Sequence, residues 1–214
     1  MGKLSRGFLG GFQGQLGTAY GCFWRGMDLI KAMPRKTNRP ATEGQLPART
    51  KLPLVASALA QLAPVIDVAY KSGKANRSAM NNAVAYNLEN AVTGAYPNFT
   101  IDYPALRFSD GSVGKPFNYQ LSTAVDAEFH ITWGFSATAD KYTRPTDKAT
   151  FVAYNPLKDE YVIAMGAVPR SALEYDLLVP AIWSGNQAHV YMCFIAADDK
   201  MASKTQYLGM LEVQ

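Results

Sequence analysis

The sequence predicts a mainly β protein with some α: a C-terminal antiparallel β-sandwich, preceded by a glycine-rich β-hairpin arm and short helices. Three patterns lead there. Beyond about residue 96 apolar residues recur at every second position, the period of a strand with one buried face. Between about 52 and 94 they recur at spacings of three and four, the period of a helix. Eight of the 17 glycines stand in the first 26 residues, a density that marks close backbone approach or unusual dihedral angles rather than a regular core element. With 214 residues, 48% of them hydrophobic, the chain is long enough to bury a sizeable core. We divide it into an elaborated segment over 1–96 and a sandwich domain over 97–214.

The arm comes first. Its stretches QLGTAYGCFW and RGMDLIKAM read as two strands of a hairpin over about 13–33, turning near Arg25 and Gly26. Tyr20, Phe23 and Trp24 supply the packing. Pro34, Pro40, Pro47 and Pro53 then punctuate a basic stretch containing Arg35, Lys36, Arg39, Arg49 and Lys51, which should run extended. The tetrapeptide Thr42–Gln45 fits a capping box. Leu52, Val55, Leu59 and Leu62 form a helical stripe, Pro64 suits the first turn of the next helix, and Met80, Val84, Leu88 and Val92 line a further helix from about Ser78 to Gly94.

Past Tyr96 the predicted strands are FTIDYPALRFS, AEFHITWGF with Ala127, Phe129, Ile131 and Trp133 inward, and ATFVAY and EYVIAM as a hairpin about NPLKDE. Next come ALEYDLLVP with Leu173, Tyr175, Leu177 and Val179 inward, HVYMCFIA, and the closing QYLGMLEV. HVYMCFIA is apolar on both faces, as a central strand should be. Short strands at this spacing suggest a sandwich of immunoglobulin or fibronectin type III character.

The glycine ladder with its Trp24–Gly26 step and the Pro-Arg-Lys that follows, taken together with TEGQ, AVAYNLENAVTGAYPNFTIDY and SALEYDLLVPAIWSG, resembles an uncharacterised family common in Bacteroidota, over nearly the whole chain. The ladder is also similar to small phage-encoded proteins. Neither resemblance implies an activity for any residue.

Chemistry is sparse. The glycines match neither a dinucleotide fingerprint nor a phosphate loop. Cys22 and Cys193 sit in apolar settings without a CxxC pair or a nearby histidine, so both read as small buried hydrophobes. His130 shares a predicted strand face with Asp126, Glu128 and Thr132, an arrangement able to ligate a metal but equally usual for a solvated strand face. The acidic turns at 158–160 and 197–200 lack the calcium-loop pattern. Trp183 offers an aromatic ring for a sugar or a partner, or a plug for the sandwich end. No cofactor or metal and no catalytic residue is expected. No secretory signal or membrane span is read, so the expected location is the cytoplasm or a virion.

Charge is asymmetric. Residues 1–77 hold 12 Lys and Arg against 3 Asp and Glu, and the remainder holds 9 against 14. Such a split suits head-to-tail contact between copies or an acidic partner. The function expected is a non-enzymatic structural or assembly protein, self-associating or bound to another protein in a virion, prophage or cell-envelope setting. Its interface candidates are Tyr20, Phe23, Trp24, Arg25, Arg35, Lys36 and Arg39. The alternatives are nucleic-acid binding through the basic half, and a carbohydrate-binding sandwich.

Overall fold

The computed structural model describes residues 3–4, 10–24, 26–34, 40–71, 77–123, 126–135 and 142–214. They fall into two units, Met1–Thr42 and Glu43–Gln214. The helices therefore belong with the sandwich, and the boundary read after residue 96 lies inside the larger unit.

The smaller unit is one antiparallel sheet, β1 (Lys3–Leu4), β2 (Phe12–Leu16), β3 (Ala19–Trp24) and β4 (Met27–Ala32), in that spatial order. Trp24 pairs with Met27 across a two-residue link, the length of the tightest hairpins. Gly26 has φ of 83°, the left-handed backbone that such a link demands. The stretch expected to be one strand up to Trp24 is two, divided by a turn at 17–18.

The larger unit opens with α1 (Gln45–Ala60), α2 (Ala63–Ala69) and α3 (Ala79–Asn90). The capping box read at Thr42–Gln45 would make Thr42 the N-cap of α1, and the helix instead has Gly44 in that place. Pro47 falls in the first turn, where its missing N–H would have no intrahelical acceptor anyway, and α1 continues through Pro53. Of the predicted stripe Val55, Leu59 and Leu62 are fully buried, while Leu52 is exposed. Pro64 enters the first turn of α2 as read. In α3 the Ser78 hydroxyl accepts from the Asn81 N–H at 3.1 Å, a side-chain cap. Val92 and Gly94 lie outside this helix, in β5 (Val92–Ala95), which pairs with β6 (Asn98–Ile101). The strand expected through Ser109 stops at Ile101, because Pro104 falls in a 3-10 turn at Tyr103–Ala105.

The sandwich follows with β7 (Phe117–Ser122), β8 (Glu128–Gly134), β9 (Lys148–Asn155), β10 (Glu160–Pro169), β11 (Glu174–Leu178), β12 (Gln187–Ile195) and β13 (Gln206–Glu212). One sheet runs β11-β8-β7 and the other β10-β9-β12-β13, every pair antiparallel. This three-plus-four arrangement, with sequence neighbours β8 and β9 in different sheets, is of fibronectin type III kind, as the strand spacing predicted. Strand β7 had no counterpart in the sequence reading. Ala127 precedes β8 with φ of 57° and still packs against the sandwich core as read, whereas Leu173, at φ of 65° before β11, is exposed.

Two apolar clusters hold the larger unit together, and the four-stranded sheet lies between them. Phe151, Ala153, Val190, Met192 and Phe194 face the three-stranded sheet with Phe129, Ile131, Trp133 and Leu177. Val152, Tyr154, Tyr191, Cys193 and Ile195, one position out of step, face the helices with Val55, Leu59, Leu62 and Ile66. This layering explains why β12 carries no polar face: alternate side chains point to two different cores.

Candidate interaction surface

Residues 12–33 place large apolar side chains on a sheet one layer thick. Because side chains alternate along a strand, Tyr20, Cys22 and Trp24 share one face with their register partners Lys31, Leu29 and Met27 on β4. Phe23 points to the other face, with Ile30 and, from β2, Leu16. Tyr20, Phe23, Trp24 and Met27 are each about half exposed, and Leu16 and Ile30 are exposed at 64% and 72%. Sequence reasoning grouped Tyr20, Phe23 and Trp24; the pleat unites Tyr20 and Trp24 and turns Phe23 away. Arg25, Arg35, Lys36 and Arg39 lie outside the described residues.

The second face is partly closed. Gly21 is buried because the Phe12 ring folds over it, and a Cβ built at Gly21 would meet both that ring, at 2.6 Å, and the Phe12 carbonyl. The Asp28 carboxyl on the same face packs against Gly11. On the face carrying Tyr20, Cys22 and Trp24, the middle row of Cys22 and Leu29 is half-buried.

Other candidates from the sequence have structural occupations. His130 Nδ1 meets Asp176 Oδ1 at 2.5 Å, a partner supplied by the neighbouring strand β11 rather than by Asp126, Glu128 or Thr132. Trp183 is fully buried, with Nε1 donating to Glu160 Oε2 at 2.9 Å, so it is a core residue and not an exposed platform. In the acidic turn Asp198 accepts the Lys200 N–H and Asp199 pairs with Lys148 at 3.1 Å. Among the described residues no group of three His, Cys, Asp or Glu side chains can hold one metal ion. Cavities of about 130 Å³ beside Arg144 and Asp147 and about 270 Å³ beside Val68 and Met165 fall below the roughly 300 Å³ at which small-molecule sites begin. Cys193 is buried and its thiol is pushed up to about 12 by desolvation, which makes it unreactive. No single helix among the described residues is long and apolar enough to cross a membrane.

Two polar clusters escaped the sequence reading. In the first, the Arg170 guanidinium, 2% exposed, meets Asp147 Oδ2 at 3.1 Å through Nε, donates to the Gly114 carbonyl through Nη2, and lies 3.6 Å from the centre of the Phe194 ring. In the second, cross-strand neighbours Tyr161, Tyr154 and His189 make a row beneath Tyr103, which stacks on His189 at 4.7 Å. His189 Nδ1 meets the Tyr207 hydroxyl at 2.9 Å, and the Tyr154 hydroxyl donates to Asp159 at 2.9 Å. Burial lowers the pKa of His189 and raises those of Tyr154, Tyr161 and Tyr191. The row joins residues 103, 154, 161, 189 and 207, so only a sheet register could have revealed it.

Comparison with known proteins adds a family. A family of unknown function, DUF6266, has a model that matches residues 11–209, so the chain belongs to it. No curated protein matches. Among solved structures the chain is similar to the fibronectin type III domain of human collagen alpha-1(XX) chain, at 16% identity and a TM-score of 0.32, over 49% of this chain and 90% of that one.

Proposed function

We propose that this member of DUF6266 is a non-enzymatic structural or partner-binding protein that makes its protein contacts through the N-terminal sheet, with the sandwich as scaffold. One observation carries the reading. A sheet one layer thick, with large apolar residues on both faces, is an incomplete piece of architecture, because a sheet normally buries at least one face against another layer. The sandwich, by contrast, already has both of its clusters filled from residues beyond 54. A virion, prophage-derived or cell-envelope assembly is a setting in which such a sheet would be covered in the finished particle.

A nucleic-acid partner is the competing reading, favoured by exposed Phe23 and Trp24 within a basic segment. Light scattering on the full chain and on residues 43–214 tests the first reading, and heparin retention across salt tests the second. The expected result is that residues 43–214 melt at an unchanged temperature but lose the association of the full chain. Association that persists without residues 1–42 overturns the proposal. Heparin binding that falls steeply with salt, in a chain that makes no protein contact, moves the function to nucleic acid.

A further inference from the structure

On the outer face of the three-stranded sheet we infer a covalent modification site: Ser122 is an activated nucleophile that takes the acyl group of an activated ester, with His130 as its base and Asp176 as the residue that positions the base.

The sheet register makes this row. On β8, Phe129, Ile131 and Trp133 point into the core, so His130 points out. Its partner on β7 is Ser122 and its partner on β11 is Asp176, and side chains directly opposite one another in an antiparallel pair share a face. Three strands thus set Ser122, His130 and Asp176 side by side, in the order that lets a serine hydroxyl be deprotonated. Solvent reaches all of them: Ser122 is exposed, and the His130 and Asp176 side chains are 39% and 56% exposed.

Asp176 decides what the imidazole can do. Its Oδ1 lies 2.5 Å from His130 Nδ1, and an ionised carboxylate can only accept, so the proton of the neutral ring sits on Nδ1. Nε2 is then left with the lone pair of a base. The other charged side chains on this face, Glu128 and Glu174, are carboxylates too and bring no competing donor to Nε2. Cross-strand Cβ atoms stand about 4.5–5.5 Å apart, so a rotation of the serine side chain or one intervening water joins Ser122 Oγ to Nε2.

The same face indicates the class of acyl group. Leu178, 69% exposed, stands two residues along β11 from Asp176 and therefore diagonal to His130. An exposed leucine beside a polar row favours an apolar acyl chain. In the step itself, Ser122 Oγ attacks the carbonyl carbon while its proton passes to His130 Nε2. The bond from that carbon to the leaving oxygen then breaks, the electron pair goes with the oxygen, and Nε2 returns the proton to it. The products are an ester on Ser122 and a free alcohol or phenol. The chain is modified once and no turnover is needed, so the site stands independently of the contact surface proposed above.

The experiment treats the full chain with p-nitrophenyl butyrate at neutral pH, follows release of nitrophenol, and locates the butyryl group by peptide mass. Ser122 should be acylated about 100-fold faster than exposed Ser112, Ser171 or Ser184, the low end of what a positioned base contributes. His130→Gln should remove that advantage. Asp176→Asn should lower the rate about 10-fold, because an amide can donate to Nδ1 and shift the ring proton to Nε2, and Asp176→Glu should restore it. Glu128→Gln, on the same face, should leave the rate unchanged. All these positions are at the surface, and an unchanged melting temperature shows that each variant is folded. Acylation of Ser122 no faster than that of the other serines overturns the inference. So does a rate indifferent to His130→Gln, or a butyryl group that stays on His130 and never reaches Ser122.

Discussion

The two sheets that lead the two units are built from similar residues and put to opposite uses. Strand β3 carries Tyr20, Cys22, Phe23 and Trp24 in six residues, and β12 carries Tyr191, Met192, Cys193, Phe194 and Ile195 in nine. In β12 each of those five side chains is at most 1% exposed, because helices cover one face of its sheet and a second sheet covers the other. In β3 the three aromatic rings are about half exposed. Hydrophobicity along a strand therefore states only that something must cover it. Whether that cover comes from the same chain depends on how many layers the rest of the sequence can supply.

This contrast can be broken most severely inside the sandwich. Asp147→Ala should destabilise the larger unit by about 3–5 kcal/mol, measured by urea unfolding, because it leaves the buried Arg170 guanidinium without its counter-charge. Asp147→Ala combined with Arg170→Met should recover most of that loss, and a double variant no more stable than the single would show that the pair is not the cause.

A smaller effect is expected beneath Tyr103. Tyr207→Phe removes the hydroxyl that meets His189 Nδ1 and should cost about 1–3 kcal/mol, the penalty for a buried polar group left unpaired. A variant as stable as the parent would mean that His189 finds another partner.

The same histidine sets a pH dependence. Its pKa is lowered in the folded protein by burial, so near pH 6.5 the unfolded chain takes up a proton that the folded one refuses. Stability contributed by neutral His189 is present above about pH 6.5 and is lost as pH falls from there toward the lowered folded value. Unfolding free energies measured between pH 7.5 and 5 should show a decline that flattens in His189→Gln; an unchanged slope would remove His189 from the account.

The smallest effect is expected in the arm. Trp24→Ser and Ile30→Ser should each change the unfolding free energy of the sandwich by less than about 0.5 kcal/mol, as surface substitutions do. A larger loss would show that the N-terminal sheet supports the sandwich core.

Period and punctuation made much of this protein legible beforehand. The alternation of Phe129, Ile131 and Trp133, the turn between β9 and β10, and the two-faced apolar run of β12 follow from the pleat of a strand, which is a local rule. The hairpin link before Met27 was legible for the same reason, through Gly26. Helix boundaries were less so: Thr42–Gln45 has the letters of a capping box that would make Thr42 the N-cap, yet Gly44 holds that place and α1 starts at Gln45. What the tertiary structure alone decided is every relation between distant segments. It brought Ile30 and Leu16 onto the face of Phe23 through the register of β4 and β2 on β3, and it buried Trp183 against Glu160. It also matched Asp147 to Arg170, and gave His130 its partner Asp176 instead of a neighbour on its own strand. The sequence determined which strands had to be covered, because burial preference is a property of each side chain. What covers them depends on register and layer order, which arise only when strands far apart in the chain meet.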